Sequence, residues 1–171
     1  IEANPPALRN SRRIQAMVLW LLVLWVITAI EPFNRRDWFL ENLLVVFYAA
    51  LLAVTYRRFA FSNRSYALFT LFMSLHLVGA HYTYAEVPFG FWLQDAFDLQ
   101  RNHYDRIVHF AFGLLIAGPF RELLLHAAGV RRSWSYLLTV AVVGVVAAVG
   151  LLVDSDGMVS LRIMGREYPP L

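Results

Sequence analysis

The chain has 171 residues, of which 59% are hydrophobic and 16% charged. Soluble domains carry about 25% charge, so this balance excludes disorder and points to a membrane protein rather than a polar-surfaced soluble fold. All 15 basic residues are arginine, the acidic residues number 12, and the formal net charge is +3. The arginines stand mostly in pairs between apolar runs, where membrane proteins place flanking charges, and this scatter argues against a nucleic-acid partner. There is no cysteine, which excludes disulfides, thiolate metal sites and cysteine nucleophiles.

Five spans are predicted in chain order. The first covers residues 14–30 after Arg12 and Arg13 and stops at Glu31 and Pro32. It is longer than a signal-peptide core and lacks a small-residue cleavage site, so it reads as a transmembrane helix. The second covers residues 38–56, with Glu41 near its start and Arg57 and Arg58 closing it. The third, residues 65–85, has no formal charge but holds His76 and His81. The fourth, residues 104–126, begins with Asp105 and His109 and is interrupted by Arg121 and Glu122 near its far end. The fifth, residues 133–153, has no ionisable group before Asp154; its glycines and alanines, Gly144 and Gly150 among them, form a small-residue packing face.

A spanning helix needs about 20 residues to cross about 30 Å of hydrocarbon. The apolar runs are unbroken rather than alternating, which excludes a β-barrel, and irregular backbone cannot face lipid. The predicted fold is an all-α polytopic transmembrane bundle forming one integral membrane domain over residues 1–171. With the N-terminus cytoplasmic, that side holds Arg9, Arg12, Arg13, Arg57, Arg58, Arg64, Arg131 and Arg132, joined by Arg121. The opposite side holds Arg35, Arg36, Arg101, Arg106, Arg162 and Arg166. Basic residues favour the cytoplasmic side, so the N-terminus is expected inside. Residues 86–103 then form an extracytoplasmic interfacial loop. Phe89, Phe91 and Trp92 place it at headgroup level, with a short interfacial helix or a re-entrant piece expected over residues 93–99. Residues 154–171 are a short tail.

Ionisable groups at membrane depth are costly and mark function by default. The topology puts Glu41, His76, His81, Asp105 and His109 in the outer half of the bilayer. Asp105 and His109 are four residues apart and share a helix face, so the carboxylate can orient the imidazole or share a metal with it. His76 and His81 are five apart and cannot both aim at one centre from a regular helix; Gly79 between them admits the close approach of a neighbour. Arg106 has Glu86 or Asp105 as a partner within reach. His76, His81, Asp105 and His109 are the candidate metal ligands, for zinc or iron, with Glu41, Glu86 and His103 supporting them. Three readings of this cluster stay open: an interhelical hydrogen-bond network, a metal or catalytic site, and a proton path. Adjacent on the chain, Arg121 and Glu122 do not share a helix face and are expected to pair with other helices. Gly113, Gly118 and Pro119 mark close packing or a bend in the same span. No phosphate loop, dinucleotide fingerprint or nucleophile elbow is present.

The stretch Gly79-Ala80-His81-Tyr82-Thr83-Tyr84-Ala85, then Arg101-Asn102-His103-Tyr104-Asp105-Arg106-Ile107-Val108-His109-Phe110, then Arg121-Glu122, resembles the YjdF-type family of bacterial inner-membrane proteins. The likeness covers roughly residues 10–130. It implies a multi-pass bacterial inner-membrane protein, with up to six spans in a complete member, and carries no assigned activity. Toward the C-terminus the pattern departs: the family continues with a glutamate-bearing helix and an acidic, glycine-rich segment. Here residues 133–153 hold no glutamate, and only Asp154, Asp156 and Gly157 echo that segment.

The expected functions are a membrane enzyme using a divalent metal on a hydrophobic substrate, an accessory subunit of a membrane complex whose cluster fixes packing, or a small transporter with a proton relay. The expected partners are the bilayer and other membrane subunits.

Overall fold

The computed structural model describes residues 12–56, 59–152, 162–163 and 166–167. Arg57 and Arg58, and the acidic residues Asp154 and Asp156, lie outside the described residues. Six helices follow in order: α1 Arg12–Ala29, α2 Arg35–Thr55, α3 Asn63–His81, α4 Pro88–Phe97, α5 Tyr104–His126 and α6 Arg132–Leu152. After them, the two-residue strands β1 Arg162–Ile163 and β2 Arg166–Glu167 pair antiparallel, with Arg162 opposite Glu167. The sequence reading had this region as a plain tail; a two-residue ladder leaves too short a pattern to recognise.

Among the described residues four helices, α1, α2, α5 and α6, are long and apolar enough to cross a membrane. The bundle is therefore the all-α polytopic membrane fold the composition demands. α3 corresponds to the remaining predicted span, the third, residues 65–85. It has 19 residues, but serine, threonine and two histidines dilute its apolar character. It is also the hub: α1, α2 and α5 all pack on it, while α6 packs on α5. α3 buries the most side chains, Phe69, Phe72, Met73, His76 and Leu77 among them. Tyr104, Val108, Ala111, Leu115 and Ile116 of α5 complete the core. The outward faces of α1, α2 and α6 carry large apolar side chains such as Leu19, Val54 and Val140. Water would penalise that surface at about 25 cal/mol per Å²; a bilayer does not.

Local chemistry sets the helix boundaries. Asn34 caps α2 by accepting from the N–H groups of Arg36 and Asp37. Ser62 caps α3 through Ser65 N–H. Pro88 opens α4, where its missing N–H costs nothing. α3 ends at His81 rather than running to residue 85, because the chain turns back on itself at residues 82–86. α4 begins five residues before the short helix expected from the sequence.

The packing face of α6 matches the expectation at Ala147, which meets Gly113 of α5, and departs from it at Gly144. Ser135, Thr139 and Val143 are its buried positions, and a Cβ on Gly144 would meet no atom within 4 Å. Small size alone misled, because glycine is tolerated on a lipid-facing surface as well. Gly113 does mark close packing: a Cβ there would lie 3.3 Å from the Cβ of Ala147 on α6.

Candidate functional site

The loop joining α1 to α2 meets the end of α3 and the start of α5 at one end of the bundle. Phe33 N–H donates to His81 O of α3 at 2.9 Å, which fixes that junction. All of the polar residues picked from the sequence for their depth lie at this end, but they divide into three groups.

His76 is the buried centre of the first. Its ring is 3% exposed and stacks on Phe72. Nε2 lies 3.3 Å from the backbone carbonyl of Glu41 on α2. A carbonyl only accepts, so Nε2 carries the proton, and Nδ1 accepts from the hydroxyl of Tyr84 at 2.6 Å. The Glu41 carboxylate stands 3.9 Å from the same Nε2. Tyr84 reaches His76 because of the turn after α3. Thr83 and Tyr84 both adopt left-handed backbone, with φ of 53° and 58°. Each costs about 1–3 kcal/mol of strain for a residue with a Cβ. Tyr84 N–H returns to Gly79 O at 2.8 Å. The ring then lies flat over Gly79, where a Cβ would come within 2.6 Å of Cδ1 and 2.8 Å of Cζ. Gly79 thus admits a close neighbour, as expected, and that neighbour is the chain's own next turn rather than another helix. Tyr84 stands in the sequence motif, but its bond to His76, eight residues back across a helix end, has no spacing signal.

His81 is separate from this group. Its Nδ1 donates to the carbonyl of Thr28 on α1 at 3.0 Å, and its ring meets Tyr82 edge-on. The two rings bind different helices, in keeping with their angular separation on α3. Among the described residues no three histidine, aspartate or glutamate side chains gather closely enough to hold a metal ion.

The third group is more open. Asp105 and His109 meet along α5 with Oδ1 and Nε2 3.2 Å apart. Their side chains are 21% and 36% exposed, and that of Glu41 is 41% exposed. Glu41, Asp105 and His109 lie within one another's electrostatic reach. This places one acidic group on α2 and an acid–imidazole pair on α5, either side of α3.

The start of α5 is held by neighbours in the motif. The Asn102 side chain accepts from Tyr104 N–H at 2.9 Å and donates to Val87 O at 3.0 Å, tying α5 to the start of α4. The Tyr104 hydroxyl donates to Leu75 O of α3 at 3.0 Å. Arg106 does not reach Glu86 or Asp105 as expected; its Nη1 donates to His103 Nδ1 at 3.1 Å. Partial burial, then the charges of Arg106 and Arg101, push the His103 pKa down from the ordinary histidine value. Glu86 closes the turn through its N–H to Tyr82 O, and Arg101 sits half-buried between α4 and α5.

Arg121 and Glu122 work at the opposite end, each with a different helix, as expected. Arg121 lies over the ring of Tyr136 on α6, 3.9 Å from its centroid. The Glu122 carboxylate takes Ser62 N–H at 2.6 Å, the Ser62 hydroxyl at 2.9 Å and the hydroxyl of buried Ser65. Glu122 is therefore an acceptor brought by α5 to the start of α3, where the helix dipole favours an anion.

A membrane-embedded helical bundle with a polar cluster at one end is the class these observations define. The chain belongs to a family described as predicted membrane protein (DUF2238), whose model matches residues 13–150. Among curated proteins it is similar to inner membrane protein YjdF of Escherichia coli (strain K12), with 35% identity over 118 residues, covering 69% of this chain and 56% of that protein. The chain thus spans little more than half the length of that relative. No solved structure matches it.

Proposed function

We propose that this protein is a multi-pass inner-membrane protein with a cytoplasmic N-terminus, in which α3 is a fifth span and residues 86–103 lie at the outer membrane surface. Its outer half carries a binding site, formed by Glu41, Asp105 and His109, for the polar head of a hydrophobic substrate arriving through the bilayer. The observation that carries this reading is the open Asp105–His109 pair. Nearby histidines at membrane depth are tied to backbone carbonyls of other helices, His76 to Glu41 and His81 to Thr28. Those two, with Tyr104, serve as packing pins. An ion-pairing group left open at a bundle surface is expensive in lipid unless something polar meets it. A carboxylate-oriented imidazole is also the usual form of a general acid–base.

Mass spectrometry of amphiphiles retained by the protein purified in lipid nanodiscs tests the site. The unmodified chain should retain an amphiphile enriched over bulk lipid, and His109→Gln and Asp105→Asn should lose it while keeping helical circular dichroism. Identical lipid profiles in all three would refute the site. A protein that co-purifies stoichiometrically and is released by the same substitutions would instead assign this face to a subunit interface.

A further inference from the structure

Away from the loop that joins them, α1 and α2 part over α3 and leave a groove of about 470 Å³. Its walls include Leu21 and Trp25 of α1, Val45 and Ala49 of α2, and Met73 and Leu77 of α3. The lining reaches from Ile14 to Trp25 on α1, which is about 16 Å of helix at about 1.5 Å per residue. At about 470 Å³ the groove falls in the range of about 300–1,000 Å³ of small-ligand sites, and its apolar walls suit a hydrocarbon chain.

Its upper limit is informative. Val45, Ala49, Leu52 and Tyr56 line the groove and follow one another along one face of α2 at three- and four-residue steps. The next position up that row is Glu41. Beside it, Asn42 accepts from Trp25 Nε1 at 2.6 Å, and Trp25 packs against Trp38 with centroids 6.2 Å apart. This contact closes the groove at that end. An extended chain lying in the groove therefore ends at the level of Glu41.

We infer that the groove takes the single hydrocarbon chain of an amphiphile whose hydrogen-bond-donating head, a hydroxyl or an amine, is met by Glu41. This rests on the head-binding site proposed above and names its ligand class. Charge complementarity selects the head: the ionisable group one helical turn beyond the lining is the Glu41 carboxylate, whose side chain is 41% exposed. That group is matched by donors or a cation and repels a carboxylate or phosphate head.

Tryptophan quenching tests the inference, because Trp25 lines the groove. The probes are long-chain brominated amphiphiles that differ only in the head, an alcohol, an amine or a carboxylate, added to the whole chain in detergent micelles. In the Trp25-dependent part of the signal, taken as the difference from Trp25→Phe because Trp20, Trp92 and Trp134 are also exposed, saturable quenching is expected, about tenfold tighter for the alcohol and the amine than for the carboxylate. Ala49→Phe should weaken all three probes about tenfold by filling the groove. Ala53→Phe, also in the lining, serves if that variant does not fold. Glu41→Gln should keep chain binding and lose the preference among heads. Absence of saturable quenching, or quenching indifferent to both groove-filling variants, would overturn the groove. Saturable, groove-dependent quenching that ignores the head and is unchanged in Glu41→Gln would overturn the head-binding reading while leaving the groove's occupant a bare chain.

Discussion

Replacing Gly79 with alanine tests the most closely built feature of the molecule. In an ordinary helix interior the change stabilises by about 1 kcal/mol, since alanine is the better helix former. Here the new Cβ would stand 2.6 Å from Cδ1 and 2.8 Å from Cζ of Tyr84. Carbon atoms pack at about 3.5–4.0 Å, so the ring must withdraw by about 1 Å. That movement stretches the 2.6 Å bond from the Tyr84 hydroxyl to His76 beyond useful length. The lost bond and the orphaned buried nitrogen cost about 1–3 kcal/mol. Overpacking adds about 1–3 kcal/mol. After subtracting the gain in helix propensity, Gly79→Ala is expected to destabilise by about 1–5 kcal/mol. The measurement is reversible unfolding in mixed micelles, followed by circular dichroism. The double variant with Tyr84→Ala isolates the cause: once the ring is gone, Gly79→Ala should be neutral or stabilising. A Gly79→Ala protein as stable as the parent, with Tyr84 present, would show that the turn does not fold back onto α3.

Three further outcomes follow from other contacts. Glu122→Ala should cost about 2–3 kcal/mol in the same unfolding assay, because Ser62 N–H and two serine hydroxyls lose their acceptor; Glu122→Gln, which keeps acceptor capacity, should recover part of it. His103 should titrate below the ordinary value of about 6.5, as read by NMR of ring-labelled protein, and Arg106→Gln should raise its midpoint. The sign for stability follows: the folded form holds the proton less tightly, so acidification below about pH 6.5 weakens folding through this residue, and the effect is absent above that pH. Elemental analysis of protein purified without chelators should find zinc and iron well below one per chain, since the donors His76, His81 and His109 serve three different contacts; a stoichiometric metal lost in His109→Ala would refute that account.

Much of the fold was legible because lipid leaves few options. The boundaries of α5 at residues 104 and 126 follow from where charge begins and ends. The pairing of Asp105 with His109 follows from helical spacing. Other features were not legible for local reasons. The end of α3 depends on two residues in left-handed backbone, Thr83 and Tyr84, neither of a type that favours it, so no turn signal marks it. The placement of His81 is decided by Thr28, 53 positions away, and distance in the chain hides such pairs. Arg106 was assigned a carboxylate by charge, yet it took an imidazole because His103 is one helical turn away. Gly144 shows the reverse error, a residue type whose usual meaning is absent at its position.

The hub position of α3 has a consequence for how the protein is made. Its two histidines and its hydroxyl-bearing residues find partners on α1, α2, α5 and the following turn. Alone in hydrocarbon, they would lack those partners. Newly synthesised α3 is thus a poor lodger in the bilayer until its companions are there. α1 and α2 precede it out of the ribosome, and α5 follows only after α4 has been made. On the five-span topology proposed above, integration of this helix into lipid and closure of the bundle become one event, completed when α5 arrives.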